Sequence, residues 1–387
     1  MIRVLHFSDP EQARRRIAFH GVAEAEADRF VSVLRAFLLS VPSRDEVHQT
    51  LPALLGRRNI PYVRGRDVLL LSVSSIGQLD RATEDGSVPG DLLDHMKEAL
   101  VRYQTREYTL LCRERSLRLS GEPRIMGILN VTPDSFSDGG KYLPFERAVE
   151  HGRQMAGEGA DIIDVGGEST RPGSIPVPAD VEIARVIPVI RALAESTDAI
   201  LSIDTTKAKV ARQAVAAGAQ VINDTSALVD DPEMADVVRD SGCAVVLMHR
   251  LGTPETMQRS PSYRSLFDEI LDALAERVVT AETAGIKENR ILVDPGIGFG
   301  KRLMHNLALH RHIADLRNLG KPILFGASRK SFLGTLTERG PGKRACGTSA
   351  SVAVTVLGGA HIVRVHDVKE ARDAVRVAAA VSGGAEC

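Results

Sequence analysis

From about residue 124 onward, short runs of β-branched and aliphatic residues alternate with longer stretches whose apolar positions recur at helical spacing. The short runs predict buried parallel strands. The longer stretches predict the amphipathic crossover helices that parallel strands need to return to the same sheet edge. Eight strand-like runs occur, at 124–130, 161–165, 200–204, 220–223, 244–248, 291–294, 322–325 and 361–364. Helix candidates lie at 145–158, 181–195, 207–217, 234–241, 263–284, 307–318, 348–357 and 368–381, several of them followed by a glycine stop. Eight βα units close a barrel, so the expected fold class is α/β, a (β/α)8 TIM barrel. An open doubly wound sheet is the structural alternative.

Upstream of the first run, YTLLC and SLRLS flank residues 113–115, the pattern of a hairpin placed to plug the N-terminal mouth of the barrel. Residues 1 to about 105 read differently. Positions 10–39 look helical, 68–74 could be a strand, and 90–103 looks helical again, with no catalytic constellation among them. The expected organisation is therefore a small mixed α/β extension, 1–105, ahead of a barrel domain, 106–387.

Composition narrows the function classes. The 387 residues are 43% hydrophobic and 26% charged, which is ordinary for a globular chain with a full core. Lys and Arg total 49 against 50 Asp and Glu, so no global field draws in nucleic acid or an anionic membrane, and any anionic ligand must be met locally. Cys112, Cys243, Cys346 and Cys387 form neither a CxxC pair nor a disulfide framework. No run approaches the roughly 18 apolar residues of a membrane span, and the first residues lack a signal-peptide core, so the cytoplasm is the expected compartment.

In such a barrel the chemistry sits where strands end. The last residues of the eight runs are Asn130, Asp164, Asp204, Asn223, Met248–His249, Asp294, Gly326–Ala327–Ser328 and Arg364–Val365–His366. One polar residue after a strand usually starts a turn or caps a helix, and Asp164 is read that way, as support for the Gly166–Gly167 turn. The joint pattern says more. Asp204, Asn223, Asp294 and Lys330 would meet at one mouth, supplying acceptors, an amide and a cation. That is the mixture the amino-pyrimidinone edge of a pterin requires within an apolar slot. Met248 and Phe299 could line the flat faces of that slot, although either is more often plain core.

A second group suits phosphate. Arg364 and His366 follow strand eight and Ser328–Arg329–Lys330 follow strand seven, the pair of loops where barrel enzymes often hold phosphate. Asn130 can offer an amide oxygen to Mg²⁺, which keeps few protein ligands and completes its shell with water and phosphate oxygens. The loops after strands one and two, at 130–142 and 166–178, are long and rich in Gly, Pro and Ser, the build of lids, and Phe136 in the first suggests contact with an aromatic substrate.

The segments NVTPDSFSDGGK (130–141), DVGGESTRPG (164–173), SIDT (202–205), IND (222–224), MHRLGTPETMQ (248–258), DPGIGFGK (294–301), SRKSF (328–332) and RVHDV (364–368) resemble, in order, the signature segments of the dihydropteroate synthase family of pterin-binding enzymes. The resemblance spans essentially all of 108–382. It implies that Asp204, Asn223, Asp294 and Lys330 bind the pterin and that Asn130 ligates Mg²⁺. It also implies that Thr170, Arg364 and His366 contact the pyrophosphate end, and that Phe136, Asp138, Arg171, Pro172 and Ser328 close over metal, pyrophosphate and para-aminobenzoate. The catalytic set would be Asp204, Lys330, Arg364 and His366.

The implied reaction displaces pyrophosphate from the CH2 of 6-hydroxymethyl-7,8-dihydropterin pyrophosphate by the aryl amine of para-aminobenzoate, with small molecules as the partners and a homodimer as the expected assembly. Three rivals remain, of which a generic phosphosugar barrel would explain Arg364 and Lys330 but not the Asp204, Asn223 and Asp294 pocket. A pterin-binding methyltransferase barrel would not need NVTPDSFSDGG, SRK and RVH, and a silent paralogue acting through a partner should have lost a ligand-binding residue.

Overall fold

The computed structural model describes residues 2–5, 13–14, 17–18, 20–32, 37–42, 60, 62–64, 68–73, 90–132, 143–169, 174–253 and 255–383. They form two compact units, one of Met1–Thr105 with Ala314–Gly320, the other of Arg106–Ile313 with Lys321–Cys387.

The first unit contains β1 (Arg3–Leu5), α1 (Glu24–Val31), β2 (Phe37–Pro42), β3 (Tyr62–Arg64), β4 (Val68–Val73) and α2 (Gly90–Gln104). The strands make an antiparallel sheet in the order β1-β2-β4-β3. Alternation along the strands sends Leu39, Val41, Leu69 and Leu71 to one face, against Met96 and Leu100 of α2. Leu38, Val63 and Leu70 go to the other, against Ala27 and Phe30 of α1. This departs from the helical reading of 10–39, whose last residues are strand. Leu38 and Leu39 are both fully buried on opposite faces, which a doubly covered strand allows and a one-sided helix does not. Residues 314–320 join this unit through Asn318, whose Oδ1 accepts from the Val4 N–H at 2.6 Å and whose Nδ2 donates to the Val4 carbonyl at 2.9 Å.

The second unit opens with a hairpin, β5 (Tyr108–Cys112) and β6 (Arg115–Leu119). Eight parallel strands follow: β7 (Arg124–Asn130), β8 (Ile162–Gly166), β9 (Ile200–Asp204), β10 (Val221–Asp224), β11 (Ala244–Met248), β12 (Ile291–Asp294), β13 (Leu324–Phe325) and β14 (Ile362–Val365). Their order is β12-β11-β10-β9-β8-β7-β14-β13. The ring closes where Val293 bridges Ile323, with the Val293 N–H donating to the Pro322 carbonyl at 3.1 Å. The helices are α3 (Leu143–Gly157), α4 (Ala179–Ala194), α5 (Ala208–Ala217), α6 (Met234–Ser241), α7 (Leu266–Thr283), α8 (Leu303–Arg311), α9 (Ser331–Thr337), α10 (Ala345–Gly358) and α11 (Val368–Gly383). The expected TIM barrel is what the chain adopts.

The candidate helix at 307–318 divides into α8 and a 3-10 segment, Ile313–Leu319, and α9 occupies residues outside the helix candidates. Helices α5, α6 and α10 stop at Gly218, Gly242 and Gly359, whose positive φ values favour glycine there. Leu110, Cys112 and Leu119 of the hairpin share one buried cluster with Met126, Ile162, Ile200, Val221, Ala244, Leu292, Leu324 and Ile362, inward residues of all eight strands. The hairpin therefore fills the N-terminal mouth, and the C-terminal mouth is left for chemistry.

Candidate active site

Side chains on a strand alternate between the two faces of the sheet, so inward positions recur every second residue. Counting on from the plugged layer brings Asp164 from Ile162, Ser202 and then Asp204 from Ile200, Asn223 from Val221, Asp294 from Leu292, and Arg364 from Ile362. The first five are buried and the Arg364 side chain is 17% exposed. One alternation step thus converts an apolar layer into a polar one.

Arg364 organises that layer. Its Nε donates to Asp164 Oδ2 at 2.6 Å and its Nη2 to Asp204 Oδ2 at 2.7 Å. Asn223 Nδ2 donates to the same Asp164 oxygen at 2.9 Å. Asp164, read from the sequence as a turn residue, is instead a fully buried strut that holds both Arg364 and Asn223. Its signal was the two-residue spacing from Ile162. Asp164 Oδ1 and Asp204 Oδ1 are buried without a hydrogen-bond partner among the described residues. Burial raises the Asp204 carboxyl to about 7, outweighing the pull of the Arg364 guanidinium, and the charge of Asp164 pushes in the same direction as burial.

Asp294 lies at the end of β12, where its Oδ1 accepts from the Gly296 N–H at 2.6 Å. Burial also raises its carboxyl, against the opposing pull of that hydrogen bond and of Lys330, Arg364 and Lys301. A Cβ on Gly326 would lie 3.7 Å from Arg364 Cβ and 3.9 Å from Asp294 Oδ2, so the end of β13 presents bare backbone to both residues. Lys330 holds its ammonium 4.2 Å from the centre of the Phe299 ring, a cation–π placement. Phe299, Met248 and Met257 form a small buried cluster, which puts the two expected slot residues together and adds Met257.

The loops after β13 and β14 are tied together. Ser328 Oγ accepts from the His366 backbone N–H at 3.1 Å and lies 3.0 Å from His366 Nδ1. Burial, reinforced by Arg329 and Arg364, lowers His366 to about 3, so the ring is neutral at working pH and acts as a hydrogen-bonding group, not a cation. Arg329 forms an ion pair with Asp367. Of the basic residues expected to meet phosphate, Arg329 and Arg364 are thus already paired with carboxylates.

Asn130 is half-buried at the end of β7. A Cβ on Gly166 would lie 3.7 Å from Asn130 Oδ1 and 3.8 Å from Asp204 Oδ2, so the amide oxygen and the carboxylate flank a position the sequence keeps free of side chain. No group of three or more His, Cys, Asp or Glu suited to a metal occurs among the described residues. A single hard oxygen donor next to a carboxylate nevertheless suits Mg²⁺, which takes most of its shell from water and phosphate. Phe136, Asp138, Thr170, Arg171 and Pro172 lie outside the described residues.

Residues 126–366 match the model of the pterin binding enzyme family. The chain is 44% identical over 277 residues to the dihydropteroate synthase of Escherichia coli (strain K12), covering 72% of this chain and 98% of that one. A Xanthomonas albilineans dihydropteroate synthase solved with 4-aminobenzoic acid superposes with a TM-score of 0.67 at 47% identity, over 71% of this chain and 98% of the other. The same enzyme in complex with 7,8-dihydropteroate gives a TM-score of 0.65 at 46% identity, over 70% and 98%. With this architecture and this layer of inward polar residues, the chain belongs to the pterin binding enzyme family, among the dihydropteroate synthases.

Proposed function

We infer that the chain condenses 6-hydroxymethyl-7,8-dihydropterin pyrophosphate with para-aminobenzoate, releasing 7,8-dihydropteroate and pyrophosphate. The observation that carries this reading is the convergence of Asp204, Asn223, Asp294 and Arg364 at the C-terminal mouth of the barrel, above an apolar floor. Carboxylates there accept from the ring N–H groups, the Asn223 amide serves a donor or an acceptor, and Met248 and Phe299 flank the ring.

In the reaction the C–O bond between the pterin CH2 and the diphosphate breaks, and its electron pair leaves on oxygen. The aryl nitrogen forms the new C–N bond and loses one proton. Pterin conjugation delocalises positive charge from the CH2 carbon, so ionised Asp204 stabilises the developing cation. Lys330 and Arg364 meet the departing negative charge, with neutral His366 as a hydrogen-bonding partner. Mg²⁺, held through Asn130, would neutralise the diphosphate. Catalysis is positional and electrostatic and needs no covalent enzyme adduct. Phe136, Asp138, Thr170, Arg171 and Pro172 would complete the diphosphate and para-aminobenzoate sites, where sulfonamides would compete.

The test is to incubate the purified chain with the two substrates and Mg²⁺. Dihydropteroate and pyrophosphate should appear in equal amounts. A pterin-binding methyltransferase or a silent paralogue would produce neither.

We place the reaction in the cytoplasm, consistent with unpaired Cys112 and Cys243 in the barrel. No described helix is long and apolar enough to cross a membrane. The assembly we propose is a homodimer. Val354 and Leu357 of α10 are exposed, as are Val377 and Val381 of the adjoining α11, an apolar surface suited to a second copy. The extension is proposed to be dispensable for chemistry. A chain shortened to begin at Arg106 would keep its turnover per folded molecule, and it would melt lower because Asn318 loses both of its bonds to Val4.

A further inference from the structure

Lys301, the last residue of DPGIGFGK, is almost fully buried although no step above uses it. Its Nζ lies 2.9 Å from His249 Nδ1, 3.0 Å from the Phe299 carbonyl and 3.4 Å from the His249 carbonyl. The three acceptors come from two different loops. His249 opens the loop after β11, and Phe299 lies in the loop after β12. The two loops press together so closely that a Cβ on Gly296 would fall 1.9 Å from the His249 carbonyl oxygen, and one on Gly300 would fall 2.6 Å from Leu251 Cβ. Both glycines have positive φ, so neither backbone can be re-aimed cheaply.

We propose that Lys301 is a positioning residue for the pterin slot: its ammonium fastens the β11 and β12 loops to each other and thereby fixes the slot residues Met248 and Phe299 and the aim of Asp294. The inference rests on the pterin reading of the site. Loss of the ammonium frees the Phe299 carbonyl, the Phe299 ring beneath Lys330, and the Met248–Met257–Phe299 cluster. The same segment already has other fasteners. Asn306 Oδ1 accepts from the Gly298 N–H at 2.9 Å, the Tyr263 hydroxyl donates to the Gly300 carbonyl at 2.9 Å, and the His249 N–H donates to the Asp294 carbonyl at 2.9 Å. Removing Lys301 therefore loosens the slot without unfolding the loop.

The charged and titratable groups around Lys301 are His249 from the β11 loop, Asp294 from the end of β12, His305 from α8 and Lys330 from the β13 loop. Burial lowers the lysine to about 7, with Asp294 opposing and Lys330 adding to the shift. Burial, with the charge of Lys301, lowers His249 to about 2, so His249 is the acceptor of the pair. Pterin binding that needs the ammonium must then draw a proton onto Lys301 in mildly alkaline solution.

Lys301→Met tests this with kinetics and with calorimetry of phosphate-free 6-hydroxymethyl-7,8-dihydropterin. The KM for the pterin pyrophosphate should rise roughly tenfold to a hundredfold, the span of one charge-assisted hydrogen bond. The KM for para-aminobenzoate should change by less than about twofold, since no contact to that substrate is lost. Calorimetry of the unaltered chain at about pH 8, in buffers of different ionisation enthalpy, should show proton uptake on pterin binding, because Lys301 is then largely neutral. The Met variant should show less uptake than the unaltered chain, the remainder coming from Asp204 and Asp294. Equal pterin KM and equal proton uptake in the two chains would overturn the proposal. If the Met variant does not fold, Lys301→Gln takes its place, and an unchanged pterin KM in that variant refutes the role. An unaltered chain that binds no pterin at all would refute the reading of the site instead.

Discussion

The two ends of the barrel are built by the same eight strands and differ by one step of their alternation. Ile162, Ile200, Val221, Leu292 and Ile362 meet the hairpin and make a dry layer. Two residues further along, about 7 Å up each strand, stand Asp164, Ser202, Asn223, Asp294 and Arg364. The lower layer contributes hydrophobic burial. The upper layer and Asp204, one step above it, sacrifice some stability, since Asp164, Ser202 and Asp204 each keep a buried oxygen with no hydrogen-bond partner among the described residues. Buried carboxylate oxygens without a partner among the described residues stand at one end and the apolar hairpin at the other, so the carboxylate end is the one built to meet a polar ligand.

Breaking the upper layer should have the largest effect. Asp164→Ala leaves the Arg364 guanidinium with Asp204 alone and leaves the Asn223 amide unpartnered. It should cost about 3–5 kcal/mol and abolish detectable turnover, as read by melting and product assay. The matching change below, Leu110→Ala, should cost about 3 kcal/mol while leaving both KM values and the turnover of the folded fraction unaltered. A loss of turnover in that variant beyond its loss of folded protein would mean that the two layers are not separable.

A smaller effect distinguishes the ends by pH. Asp204 is raised to about 7, so between roughly pH 4 and pH 7 the folded chain holds a proton that the unfolded chain has released. Its contribution to stability is complete below that window and is lost as pH rises through 7. Activity that needs ionised Asp204 should rise over the same interval. Asp294 and Asp224 are also raised by burial and slope the same way. The contribution of Asp204 is therefore the difference between the melting curves of the unaltered chain and Asp204→Asn from pH 5 to 8. No change in slope would show that the carboxylate is not held at this cost.

The strand layer was legible in the sequence because each run is short, apolar and bounded, and the runs at 124–130, 200–204, 244–248 and 291–294 coincide with β7, β9, β11 and β12. Asn130, Asp204, Asn223 and Asp294 were legible for the same reason, as polar residues closing such runs. Asp164 was misassigned to the Gly166–Gly167 turn because a polar residue at a strand end commonly starts a turn, while its side-chain direction is set by period two from Ile162. Lys301 and His249 escaped because their partners are carbonyls and a ring nitrogen brought together by loop packing, which leaves no periodic trace. The extension was harder to read because its strands belong to a sheet covered on both faces, so β2 shows no polar alternation to mark it.

Turnover of Asp294→Asn, measured beside the unaltered chain at saturating para-aminobenzoate, tests the central claim most directly. The substitution keeps the shape of the side chain and removes the charged acceptor for the pterin ring. The account predicts that kcat/KM for the pterin pyrophosphate falls roughly tenfold to a hundredfold or more, with the melting temperature within a few degrees. An unchanged kcat/KM would contradict the assignment of this layer as the pterin site.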